Sequence, residues 1–173
     1  MAEGKALSRE VPIIELGEER ADDAATIMAQ AFQDNPVLVR ACPDRDTRVR
    51  LLPWMFRWST WKGLRFGKLL GTAGRLEGVA ALVGPDGGEF TAQDLTHIDH
   101  VHARKVIGPE LWDGVLAAND EDAAPAEAAL HLAAPEPHWY LDALAVIPER
   151  QGQGIGSALL RAAARRYGIR GCR

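Results

Sequence analysis

Cysteine is scarce in this chain. Its 173 residues hold two, Cys42 and Cys172, far apart and outside any CxxC spacing. That spacing argues against a disulfide framework or a zinc ribbon, and it fits a reducing, cytoplasmic setting. A basic surplus is also missing. The formal net charge is −4, so no basic surface is expected to wrap nucleic acid. No run approaches the ~18 apolar residues needed to span a bilayer. The polar residues 1–10 lack the apolar core of a signal peptide. The expectation is a protein with neither nucleic-acid nor membrane partners. Mild acidity is compatible with a cationic acceptor such as an amine.

What is present suits a globular protein. Hydrophobic residues make up 47% and charged residues 25%, a balance that argues against disorder. The length is that of one ordinary domain. Residues 1–10 read as a flexible leader and residues 11–173 as one domain.

The apolar run at 11–16 predicts a first strand. Ala24, Ile27, Met28, Ala31 and Phe32 recur at helical spacing and predict a helix, which Asn35-Pro36 ends. Leu51, Trp54, Met55, Trp58 and Trp61 stripe a second helix over about 46–61, with Pro53 inside the pattern and Gly63 as its stop. Residues 65–72 and 76–83 predict a hairpin around Ala73-Gly74-Arg75. Pro85-Asp86-Gly87-Gly88 is a turn. The polar, alanine-rich stretch 89–135 predicts one or two helices, one over about 110–118 and another over 123–134. Residues 138–146 predict a strand, 147–150 a turn, and Ile155, Leu159, Leu160, Ala163 and Tyr167 one face of a last helix.

Between that strand and that helix lies Gln151-Gly152-Gln153-Gly154-Ile155-Gly156-Ser157. A helix N-terminus carries unpaired N–H groups and partial positive charge, which suits a phosphate. Small residues let the backbone approach an anion. Gly152, Gly154 and Gly156 supply the space, Gln153 and Ile155 alternate with them, and Ser157 adds a hydroxyl. Arg150 is close enough to assist. The preceding strand, through Leu144, Ala145 and Val146, is placed to offer backbone groups to an amide-bearing ligand arm lying along it like an added strand.

Residues 138–160, HWYLDALAVIPERQGQGIGSALL, resemble the central signature of the GNAT N-acetyltransferases, and especially the branch containing puromycin N-acetyltransferase. The likeness rests on the aromatic-rich strand, the Val-x-Pro turn and the glycine loop. A weaker one covers Ala31-Phe32-Gln33-Asp34-Asn35-Pro36. The resemblance implies an α/β fold with a mixed, mostly antiparallel sheet flanked by helices. It implies acetyl-CoA as the cosubstrate, a small-molecule primary amine as the acceptor, and cofactor contacts from Leu144, Ala145, Val146, Gly152, Gln153, Gly154, Ile155, Gly156 and Ser157. A homodimer stays open. The family continues past this helix with further elements, including a tyrosine acid. Measured against that pattern, the chain is expected to be truncated at its C-terminus, and Tyr167, on the wrong helix, does not inherit the acid's role.

Transfer to an amine needs a proton acceptor. Tyr140 and Asp142 share a strand face at spacing two. A phenol is a poor base at neutral pH, so Asp142, acting through water, is the better candidate. Each also reads as a packing or pairing residue. His97, His100 and His102 with Asp99 form a local cluster that reads either as a metal site or as a solvated or acceptor-lining segment, and no second ligand group supports metal. Trp54, Trp58 and Trp61 read as core, as acceptor wall, or as both.

Three functions compete. One is acetyl transfer. Another is a non-catalytic acyl-CoA-binding or regulatory remnant. A dinucleotide-binding oxidoreductase fails on spacing, because the loop lacks the third glycine of G-x-G-x-x-G.

Overall fold

The computed structural model of the chain describes residues 11–133 and 137–168. The leader at 1–10, the helix end at Ala134 with Pro135, and Arg170, Cys172 and Arg173 of the tail lie outside the described residues.

In chain order the elements are β1 (Ile13–Glu15), α1 (Ala21–Ala31), α2 (Pro36–Ala41), α3 (Arg45–Phe66), β2 (Gly67–Thr72), β3 (Gly78–Val83), α4 (Ala92–Ile98), α5 (His100–Ile107), α6 (Pro109–Ala133), β4 (Tyr140–Val146) and α7 (Ile155–Tyr167). Short 3-10 turns precede α1 and α7. The four strands form one sheet in the order β1-β2-β3-β4. Each pairing is antiparallel, as expected for most of the sheet.

Period-two alternation sends the strand side chains to two cores. Leu69, Val79, Ala81, Ala143 and Ala145 face the larger one, packed with α1, α3 and α6 through Met28, Leu51, Leu52 and Trp112. Leu70, Ala80 and Leu82 face the other, under Ile155, Leu159 and Ala163 of α7. Full burial of each leucine, valine, isoleucine or methionine among them stabilises the fold by roughly 1.5–3 kcal/mol, and each alanine by less.

Several expected boundaries differ for identifiable reasons. Asn35-Pro36 ends α1 but also opens α2. The Asn35 side chain accepts hydrogen bonds from the N–H groups of Val37 at 2.9 Å and Leu38 at 3.4 Å, and Pro36 takes the first helical position, where its missing N–H costs nothing. Gly63 does not stop α3, which runs 22 residues to Phe66. Its role is close approach, since a Cβ there would meet the Lys68 carbonyl oxygen at 3.0 Å. Arg65 and Phe66 therefore belong to the helix, and β2 starts at Gly67. The two helices expected around 110–118 and 123–134 are one, α6, continuous through the acidic Asp120–Asp122 segment and Pro125. Upstream, α4 and α5 are separate short helices. Thr91 and Asp94 cap α4 reciprocally.

The histidine cluster does not converge. Each imidazole lies against an indole of α3. His97 stacks on Trp61 at 4.6 Å, His100 on Trp58 at 5.5 Å, and His102 tilts against Trp54 at 5.5 Å. The two stripes run antiparallel and zip α4 and α5 to α3. Arg57 lies over Trp54 and Arg65 over Trp61. Among the described residues no three His, Cys, Asp or Glu side chains are grouped as a metal site would need. No described helix is long and apolar enough to cross a membrane.

Arg48 ties the start of this helical layer together. It is 4% exposed, and its guanidinium donates to the carbonyls of Gln33 at 3.0 Å and of Cys42 and Pro43 at 2.7 Å each. Arg48→Ala strands three carbonyls and is expected to cost about 3 kcal/mol. Arg50→Ala, on the exposed face, should stay within about 0.5 kcal/mol. Urea unfolding of the two variants checks this.

His100 supplies a pH dependence. Burial pushes its imidazole below the usual 6.5, and the charge of Arg57 acts in the same sense, against a hydrogen bond to the Trp54 backbone and the charge of Asp99. The unfolded chain takes up this proton at a higher pH than the folded one. Stability from neutral His100 is thus present above 6.5 and is lost as pH falls below it. Thermal unfolding above and below that value should show a larger loss for the wild type than for His100→Gln.

Candidate active site

The site is assembled around β4. On one side β4 pairs with β3, and among the described residues its other side is unpaired. Ile147 N–H donates to Glu77 O at 2.9 Å, which sets the ladder phase. By the alternation of antiparallel pairing, Ala143 and Ala145 turn their backbone groups to β3, while Leu144 and Val146 turn theirs outward. The Val146 carbonyl, on that outer side, accepts a hydrogen bond from Gln151 Nε2 at 3.0 Å. Of the three expected backbone contacts, Leu144 and Val146 thus face the open edge, and Ala145 is committed to the sheet.

At the end of β4 the chain reverses into α7. Gly152 and Gly154 have φ of 73° and 83°, in the left-handed region that a Cβ disfavours. Neither has a protein atom within 4 Å of an added Cβ. The glycine need at these two positions is therefore conformational. Gly154 is the N-cap of α7, so the first-turn N–H groups of Ile155, Gly156 and Ser157 have no carbonyl within the helix to receive them. A cavity of about 360 Å³ opens over them, lined by Val146, Arg150, Gln151, Gly152, Gly154, Ile155, Gly156 and Ser157. Gln153 instead turns its side chain back, donating to the Glu149 carbonyl at 3.1 Å. Arg150 pairs with Glu77 at 3.1 Å on the rim. A second groove, about 690 Å³, runs from Gln153 and Gly154 along Arg161 and Arg165 to Pro12 and gives the loop a basic flank. Open space, helix N–H groups and basic side chains fit a pyrophosphate-bearing cosubstrate.

At its start, β4 carries a bulge. Ala143 pairs with Ala81 and Leu141 with Leu82, leaving Asp142 unmatched between them. Strict alternation would send Asp142 with Leu144 and Val146 toward α7. The extra residue instead lets Tyr140, Asp142 and Ala143 all line one cavity of about 550 Å³ on the α3 side. There Asp142 Oδ1 accepts a hydrogen bond from Lys62 Nζ at 2.9 Å, and its side chain is only 9% exposed. The sequence reading missed Lys62, although it lies one helical turn after Trp58 on the same face of α3.

Two cavities meet at Lys62, and Asp142 lines the first of them. The first contains Phe32, Phe56, Trp58, His100, Asp120 and Asp122 among its walls, and the His100 Nε2 atom is buried without a partner. The second, about 620 Å³, is more aromatic and is lined by Phe66, Phe90, Leu95 and His138 among others. Trp58, Lys62 and Tyr140 line both. Of the tryptophan stripe, Trp58 is thus cavity wall, Trp61 is buried beside Ala21 and Ile98, and Trp54 packs against the main core. Tyr167 lines neither cavity. Its hydroxyl donates to Glu15 at 2.5 Å, its ring packs on Trp139, and burial with the Glu15 carboxylate pushes its pKa up to about 12.

Residues 109–173 match the acetyltransferase (GNAT) family, a span that includes α6, β4, the glycine loop and α7. No curated protein matches the chain in sequence. Among solved structures, one described as histone acetyltransferase HPA2 and related acetyltransferase from Corynebacterium glutamicum is similar, with a TM-score of 0.56 and 18% identity over 91% of this chain and 71% of that one. At that identity the likeness concerns the fold. The chain thus has a GNAT-like fold, and its match to the family model is confined to residues 109–173.

Proposed function

We propose that this chain transfers an acetyl group from acetyl-CoA to a primary amine of a small molecule. The observation that carries the reading is the open cradle at the α7 N-terminus, placed at the end of a strand whose outer edge pairs with no strand among the described residues. The two features together suit a ligand with a pyrophosphate at one end and an amide-bearing arm at the other. When bound, acetyl-CoA supplies the activated acetyl group.

The chain's own residues have separable tasks in this reading. The N–H groups of Ile155, Gly156 and Ser157 bind the pyrophosphate. The outward backbone groups of Leu144 and Val146 bind and orient the arm, and a strand N–H near the bulge stabilises charge developing on the reacting oxygen. Asp142 accepts a proton from the acceptor's ammonium, directly or through water. Tyr140 lines the acceptor cavity beside it. Asp120 and Asp122 give one cavity a negative wall that favours a cation.

Gly156 isolates the cradle from the fold. It is helical, and an added Cβ would make only ordinary contacts with Leu144 and Val146, at 3.8 and 3.9 Å. Alanine is the better helix former by about 1 kcal/mol. Gly156→Ala should therefore melt no lower than the wild type. Its methyl tilts toward the helix N-terminus and should weaken acetyl-CoA binding at least about tenfold, or roughly 1.4 kcal/mol. Thermal shift against acetyl-CoA tests both halves, and unchanged affinity would remove the cradle from the reading.

Asp142→Asn should keep acetyl-CoA binding and lower kcat toward amines by roughly 10²-fold. Release of free CoA with a panel of primary amines measures it. Binding with no turnover on any amine would leave an acyl-CoA-binding role in place of the enzyme.

A further inference from the structure

Lys62 stands beside the candidate base and lines both cavities. Of the three side chains that line both cavities, Trp58, Lys62 and Tyr140, it alone is a cation. It is also a primary amine on a flexible stem, with Nζ 2.9 Å from Asp142 Oδ1. Asp142 is the carboxylate that the function above uses as base. Helix α3, packed on this face of the sheet, delivers Lys62 to this point, and the bulge in β4 turns Asp142 to meet it. An amine held against the base, in the cavity at the start of the edge strand, satisfies the same requirements as an external acceptor.

We propose that Lys62 is acetylated in cis by acetyl-CoA bound to this chain. The proposal rests on the acetyl-CoA reading of the glycine cradle. Asp142 takes one proton from the Lys62 ammonium, directly or through water. The freed Nζ lone pair forms an N–C bond to the thioester carbonyl carbon. The C–S bond breaks, and the departing sulfur takes up a second Nζ proton. The products are N-acetyl-lysine at position 62 and free CoA, and Asp142 returns its proton to solvent. No oxidant or further co-reactant enters the balance. A well-oriented intramolecular nucleophile gains an effective molarity of up to roughly 10⁵–10⁸ M.

The modification changes the site. Acetyl-lysine is neutral and cannot hold the ion pair, so Asp142 loses its internal cation. An external amine then meets a carboxylate that is no longer occupied.

The chain contains its own controls. Lys105 is exposed on α5, and Lys68 pairs with Glu15 at 3.1 Å on β2. Neither lines either cavity. The full chain is incubated with isotopically labelled acetyl-CoA, and label is mapped by peptide mass spectrometry while binding is followed by thermal shift. The expected result is a melting shift with acetyl-CoA and label on Lys62 at least about tenfold faster than on Lys105. That ratio should fall to about one in Asp142→Asn, as loss of the general base predicts. Binding with Lys62 unlabelled, or labelled no faster than Lys105, overturns the proposal and leaves the function standing. No melting shift with acetyl-CoA overturns the function reading, and the proposal with it.

Discussion

One strand with unequal edges organises this molecule. Along β4 every second residue commits its backbone to β3, and the residues between turn their N–H and C=O groups outward. An exposed row of this kind is a liability for a soluble protein, because any extended chain can pair with it. Here both candidate ligand sites are attached to that edge. Its beginning holds the bulge that re-aims Asp142, and its end leads through two left-handed glycines into α7. Shifting the β3–β4 register by one residue would send Asp142 to the wrong face, bury the outward groups of Leu144 and Val146, and misplace the helix N-terminus.

The parts that could be read from sequence are those where the backbone leaves a compositional mark. Gly152 and Gly154 stand where φ is positive, and glycine is the residue that takes that conformation without cost. The stripe Ile155, Leu159, Ala163 follows the period of a helix lying on a sheet. The hairpin of β2 and β3 was equally plain, from two apolar runs on either side of Gly74. Gly63 was misread because glycine marks both helix ends and close approach. At Gly63 the approach of β2 decides, and no local pattern reports that. Asn35-Pro36 presents a similar ambiguity, since a residue pair that ends one helix can cap the next.

The bulge left no mark. Asp142 is a residue type depleted in strands, but nothing in Tyr140-Leu141-Asp142-Ala143 distinguishes a bulge from ordinary pairing. The extra residue arises from how β4 meets Ala81 and Leu82, some sixty positions earlier in the chain. Lys62 was missed for the same reason, as its significance depends wholly on Asp142 being turned toward it. By contrast, the Thr91–Asp94 capping box was a readable helix start, hidden only by the polarity of its surroundings. The histidines were visible but ambiguous. Spacing alone could not distinguish three ligands converging on a metal from three rings each meeting its own indole, since the partners lie on another helix.

The ion pair at the meeting of the two cavities is best weighed against Arg48. Arg48 is deeply buried, satisfies three carbonyls and joins three elements, so the fold depends on it. Lys62 is 32% exposed and makes one contact with Asp142. The Asp142 carboxylate is largely buried, but solvent screens the pair on its lysine side and the stem loses entropy when held, which draws its contribution toward the roughly 0–1 kcal/mol of exposed pairs. Such a pair adds little to the stability of the sheet or of α3. Its placement, an amine against a carboxylate between two cavities, concerns what the cavities do. That is why the chemistry of Lys62 follows from the same geometry as the chemistry of the acceptor.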